Sequence, residues 1–234
     1  MDKETSTVRL IHYTLQEYLS RPGILPDANK TLGQTCLTYL NYDQAKGLPA
    51  NNASNFGGLP FLEYSSLHWG DHAKMDLAEH AKSLALELFT RHDNYIYAAL
   101  LFNQIHNYHF HPSTRHLLTG LHCASYFGID EVVDTLIDMK GCNINQGDCW
   151  GFTPLIWAAR QGNQGVLKLL LTRHDVDPDQ PDDNGQTPLL WASSSGHETV
   201  VRLLLARDDV DPNSTDKSGW TPLLRASLVG VRGW

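Results

Sequence analysis

No Gly-x-x-x-x-Gly-Lys-Ser/Thr loop, no Gly-x-Ser-x-Gly elbow and no Cys-x-x-Cys pair occurs in these 234 residues. The first absence removes the phosphate cradle of a P-loop NTPase, and the second removes the strained serine of an acyl-transfer enzyme. Cysteine is scarce: four residues in a chain this long are no disulfide framework. Cys142 and Cys149 are separated by six residues, a spacing foreign to thiol redox pairs. Long apolar runs are missing too, since the longest, Tyr95 to Phe102, is far too short to span a bilayer. The opening Met1-Asp2-Lys3-Glu4-Thr5 has neither the basic start nor the apolar stretch of a signal peptide. A cytoplasmic location is expected, with the sequons at Asn29, Asn52 and Asn213 unused. Basic charge is in short supply, with 18 Lys and Arg against 26 Asp and Glu, a net charge of −8. Residues 117–234 hold 15 acidic against 9 basic side chains, a net −6, and residues 1–116 hold 11 against 9, a net −2. Nucleic-acid affinity rests largely on basic side chains meeting phosphates, so a nucleic-acid partner is not expected.

What the chain does have is repetition. Thr-Pro-Leu stands at Thr153-Pro154-Leu155, Thr187-Pro188-Leu189 and Thr221-Pro222-Leu223, each 34 residues after the last. A degenerate copy, Thr119-Gly120-Leu121-His122, lies another 34 upstream. Gly128, Gly162, Gly196 and Gly230 keep the register, as do Gly151, Gly185 and Gly219, and Asp148, Asp182 and Asp216. A fixed period of this length means stacked supersecondary units, none of which buries its apolar face alone.

Each unit has a physical reading. Threonine before proline predicts a helix start, because the hydroxyl accepts from orphan amides and proline has none to orphan. The first helix is predicted from Pro154 to about Gln161, ended by Gly162. A second runs from Gln164 to about Arg173, with Val166, Leu169 and Leu170 on one face, matched later by Thr199 to Ala206. Asp182-Asp183-Asn184-Gly185 reads as the tight turn leading to the next unit. Cys142 falls in register with Val176 and Val210 and is expected to be a small core residue.

These copies resemble ankyrin repeats, whose pattern is a turn, Thr-Pro-Leu-His and a helix pair. Only the first copy has the histidine (His122); later copies carry Ile156, Leu190 and Leu224. The resemblance implies an α-solenoid over 117–234, of about four units with the last incomplete, that binds a protein partner through its concave face. The turn tips there would be Cys149, Trp150 and Phe152, then Asp183, Asn184 and Gln186, then Lys217, Ser218 and Trp220. The inner helix positions would be Tyr126 and Phe127, Arg160 and Gln161, Ser194 and Ser195, and Leu228 and Val229. Trp150, Trp220, Tyr126 and Arg160 are the expected energetic anchors, being of the types that dominate interfaces. Trp157 and Trp191, beside the small Ala158 and Ala192, are expected to pack between units.

The first 116 residues show no repeat. Val8 to His12 reads as a strand, Thr14-Leu15-Gln16-Glu17 as a capping box, and Asn29 to Leu40 as a helix. Gly47 to Pro60 is a loop by composition, followed by predicted helices at Phe61 to Trp69, Met75 to Arg91 and Tyr95 to Ile105. Val8 to Leu19 is similar to the winged-helix region that follows the NACHT module in fungal signalling NTPases of the STAND type. Cys36 to Leu40, Pro60 to Tyr64 and His68-Trp69-Gly70 resemble the helical linker that joins that region to ankyrin repeats. The resemblance implies a winged-helix remnant over 1–45 and a helical linker over 46–116.

The whole chain is therefore expected to be mainly α-helical and non-catalytic, with no cofactor or metal, the recognition part of a fungal-type NACHT–ankyrin signalling protein. Its opening and its close at Ala226 to Trp234, which leaves the repeat before a second helix, read as a partial gene model. Leu228, Val229 and Trp234 are a poor polar cap, so self-association through the uncapped end is expected. The rival within binding modules is a stand-alone adaptor or scaffold. The rival from another class is a metal-dependent enzyme using His106, His109, His111 and His116, a cluster lacking a second ligand set at a known spacing.

Overall fold

Thr-Pro does start a helix each time it occurs. Thr153 Oγ accepts from the Ile156 amide at 3.2 Å, Thr187 Oγ from Leu190 at 3.3 Å and Thr221 Oγ from Leu224 at 3.3 Å. In the computed structural model, which describes residues 28–40, 65, 68–70, 72, 79–90 and 118–230, the chain divides into two compact units, Met1–Arg115 and His116–Trp234. No strand occurs among the described residues.

In the first unit, α1 (Ala28–Leu40) and α2 (Glu79–Thr90) pack together. Cys36, Leu37, Ala85 and Leu88 are fully buried. Trp69 is buried as well, its ring centroid 5.4 Å from that of Phe89. The strand expected at 8–12, the capping box at 14–17, the loop at 47–60, the helix at 95–105 and the histidines of 106–116 lie outside the described residues.

The second unit is the repeat array, built of helix pairs. They are α3 (Gly120–Phe127) with α4 (Asp130–Ile137), α5 (Pro154–Gln161) with α6 (Gln164–Leu171), and α7 (Pro188–Ser195) with α8 (Glu198–Leu205). A last helix, α9 (Pro222–Gly230), stacks on α7 as α7 stacks on α5 and α5 on α3. Gly162 ends α5 at φ 73, where a side chain is disfavoured. The core is the seam between the pairs, where Leu155, Ile156, Ala158, Leu167, Leu170 and Leu190 are at most 1 % exposed. Ala158 and Ala192 are small because the first helices stack against one another there.

Polar side chains fasten each unit to the one before. Asn163, just ahead of α6, donates from Nδ2 to the Ser125 and Tyr126 carbonyls, both at 2.8 Å. His197, at the same place before α8, pairs its Nε2 with the Arg160 carbonyl at 3.0 Å. The turn tips join by backbone bonds, Asp183 N–H to Trp150 O at 2.8 Å and Lys217 N–H to Asn184 O at 2.9 Å. On the other side of the array Arg207 Nη1 donates to the Leu171 carbonyl, at 2.8 Å, at the end of α6.

One register inference fails. Val176 and Val210 are buried, but Cys142 is exposed. The chain turns at Gly141 with φ 87, where the later units carry Asp175 and Asp209, and that different turn leaves the thiol at the surface.

Candidate recognition surface

The turn tips are held in shape by the repeated aspartates. Asp148 Oδ1 accepts from the Trp150 and Phe152 amides at 2.9 and 3.0 Å, and its Oδ2 accepts from the Trp157 indole at 3.1 Å. Asp182 does the same with Asn184, Gln186 and the Trp191 indole, at 2.8, 2.9 and 3.0 Å. Each carboxylate so ties its own turn to the first helix of its own unit. In the last unit Asp216 takes the Ser218 and Trp220 amides, both at 2.9 Å, but Arg225 stands where the tryptophan was and forms an ion pair. Burial pushes Asp148 up to about 6, against the lowering effect of its three donors. At Asp216 burial also acts upward, but the Arg225 guanidinium and the turn amides outweigh it and hold the carboxyl low.

The tryptophans that the aspartates orient form one side of a cluster drawn from three successive units. Tyr126 meets Trp157 edge-on at 5.5 Å, Phe152 meets Trp157 at 5.0 Å, and Phe152 meets Trp191 of the following unit at 5.2 Å. Over these rings lies Arg160, its Cζ 4.9 Å from the Trp191 centroid, 5.4 Å from Trp157 and 5.7 Å from Phe152. Contacts of this kind fix a long side chain that would otherwise be ordered at a cost in entropy. Nη1 of Arg160 is buried with no hydrogen-bond acceptor among the described residues.

Of the residues expected to meet a partner, Asp183, Asn184, Ser195, Lys217 and Ser218 are exposed, and Tyr126, Trp150, Arg160, Gln161, Gln186, Ser194 and Trp220 are half-buried. Two expectations need correcting. Phe127 is buried on the inner side of α3, and Phe152 is buried beneath Arg160 between two tryptophans, so neither presents a surface. Leu228 is exposed. Trp157 is buried packing, whereas Trp191 is half-exposed and belongs to the surface cluster. Among the described residues no group of three His, Cys, Asp or Glu side chains is placed to hold a metal ion, and no helix is long and apolar enough to cross a membrane.

The histidine peculiar to the first unit has a structural role with a pH signature. His122 accepts at Nδ1 from the Thr119 amide (3.0 Å), and its Nε2 meets the Gln146 carbonyl at 2.8 Å, so it joins helix start and turn as a neutral ring. Burial pulls its pKa from 6.5 down to about 4, against the raising effect of the Gln146 and Phe152 carbonyls. The unfolded chain therefore takes up this proton first. Its contribution is whole above pH 6.5 and is lost as pH falls through 4. Asp148 works the other way, adding stability as pH falls through about 6. Replacing His122→Leu, the residue type of two later units, isolates the first effect. Between pH 7.5 and pH 5 the wild type should lose about 2 kcal/mol relative to the variant. Urea titrations at the two pH values measure this, and equal losses in both proteins would contradict it.

A family model described as ankyrin repeats, three copies, matches residues 92–182 and 171–231. No curated protein matches the chain.

Proposed function

Since the chain belongs to the ankyrin-repeat family, matched over more than half its length, we propose that it recognises a protein partner through the face formed by its turn tips and first helices. The observation that carries the reading is the cluster of Tyr126, Arg160 and Trp191, which spans three units and holds its cation over rings in a fixed pose. Tyr, Trp and Arg supply most of the energy in protein interfaces, and a side chain already fixed loses little freedom on binding. The exposed tips Asp183, Asn184, Lys217 and Ser218 extend this surface along the array and select the partner. Binding proceeds by surface complementarity, without bond chemistry, as suits a family of interaction modules.

A double variant, Tyr126→Ala with Arg160→Ala, should lose at least tenfold in affinity for a partner captured by the wild-type chain. Lys168→Glu, on the exposed side of α6, should leave it unchanged. The opposite ranking would refute the assignment of the face.

We place this recognition arm in a NACHT-type signalling protein on the strength of the Val8 to Leu19 run and of the linker-like segments between Cys36 and Gly70, which precede the array in the expected order. A full-length transcript carrying an upstream phosphate-binding loop is the expected result. A transcript without one would make the chain an adaptor.

A further inference from the structure

Five arginines stand among the described residues, and four of them face a carboxylate. Arg173 meets Asp138 and Asp175, Arg202 meets Glu198, Arg207 meets Asp209 and Arg225 meets Asp216. Arg160 is the exception, with no carboxylate in ion-pair reach among the described residues. Its isolation is not for want of acids, which outnumber bases 15 to 9 over residues 117–234.

The surroundings of Arg160 make the missing acid matter. Its guanidinium lies on the rings of Trp191, Trp157 and Phe152, with Nη1 enclosed and without an acceptor. Arg160 as a whole is half-buried, so the Nε and Nη2 edge is the part that water reaches. That edge offers two parallel N–H donors, which match the two oxygens of one carboxylate. Asp148 supports the charge from beyond ion-pair reach, but its oxygens already serve Trp150, Phe152 and Trp157. Burial outweighs that support and lowers the Arg160 pKa.

Elsewhere the same chain contains the finished form of this arrangement. Arg225 lies over the Trp220 ring, its Cζ 5.4 Å from the centroid, and its Nη2 pairs with Asp216. Aromatic face and carboxylate are both present there. At Arg160 three rings are in place and the carboxylate is not.

We propose that Arg160 receives a single Asp or Glu side chain of the protein partner, with Nε and Nη2 donating to its two oxygens. This names the partner chemistry of the face proposed above and rests on that reading. The rings hold the fork in place before the partner arrives, so little freedom is lost on pairing. A half-buried pair is also screened less by salt than one in open water. A polyanion is a poor occupant, because a nucleic-acid strand or an acid-rich tract would crowd negative charge onto an acidic unit whose Asp183 tip is exposed. One acid among uncharged side chains is what fits.

The test selects binders to the full 234-residue chain from a phage-displayed library of random peptides. The wild type should enrich peptides that share one Asp or Glu at a fixed place. Changing that acid to its amide should weaken binding to the wild type at least tenfold in fluorescence anisotropy. The same change should alter binding to the Arg160→Gln protein by no more than about twofold. Arg160→Lys, which keeps the charge and loses the fork, should restore only part of the affinity. The first comparison alters the peptide alone, so it stands even if an Arg160 variant melts early. Enriched peptides that need Tyr126 but carry no acid overturn the proposal and leave the face standing. An acid whose amide counterpart binds the wild type equally well also overturns it, as does a selection that yields no acid-bearing peptide. Peptides that bind Tyr126→Ala with Arg160→Ala as they bind the wild type overturn face and acid together.

Discussion

Replacing Asp182→Ala should cost the array about 4 kcal/mol, a large share of the stability of a domain this size. The carboxylate is buried and accepts from two turn amides and one indole. Truncation leaves three donors without their acceptor, each at about 1–3 kcal/mol if it stays dry. The loss would propagate, because the turn it shapes also joins the next unit through Lys217 N–H and Asn184 O. Asp182→Asn separates the parts. Its remaining oxygen can still serve the two amides, but its NH₂ then faces the Trp191 N–H, so about half of the loss should remain. Urea denaturation followed by tryptophan fluorescence reads both. A loss below about 1 kcal/mol for Asp182→Ala would mean that the carboxylate is no staple.

Two glycines with the same backbone angle should respond very differently to alanine. Gly151 and Gly219 both have φ 78. A Cβ at Gly219 meets nothing within 4 Å, so Gly219→Ala should cost only the left-handed conformation, about 1 kcal/mol. A Cβ at Gly151 would lie 2.9 Å from the Asp183 nitrogen and 3.1 Å from the Asp182 Cα, both backbone atoms of the neighbouring turn. That turn must move away, and the Asp183 N–H to Trp150 O bond goes with it. Gly151→Ala should therefore cost about 3 kcal/mol, the strain plus a lost buried contact. Equal losses at both sites would show that the turns do not bear on one another.

The repeat made much of the second unit legible. The bounds of α5 follow from Thr153-Pro154 and Gly162 because a cap, a fixed φ and a left-handed stop are local properties of three residues. The spacing of nine residues between Asp148 and Trp157, kept at Asp182 and Trp191, was also visible, but its meaning needed the turn to fold back on the helix. Register was a poor guide where the backbone differs. Cys142 and Val176 share a position and not an environment, because Gly141 turns the chain with φ 87. Phe152 sits at a turn tip in sequence, yet its ring folds inward under Arg160, which only the packing of two tryptophans from adjacent units could reveal. Trp157 and Trp191 read alike in sequence and share Phe152 and Arg160 as neighbours, but Tyr126 also meets Trp157, which is buried, while Trp191 is half-exposed.

Recognition through the Tyr126, Arg160 and Trp191 face is the central claim, and site-specific photo-crosslinking tests it most directly. A photoreactive residue is placed at Gln161, beside Arg160 at the end of α5, and in a second protein at Thr172, which is exposed beyond the end of α6. A crosslinked partner from Gln161 and none from Thr172 is the predicted result. A partner crosslinked from Thr172 alone would contradict the account.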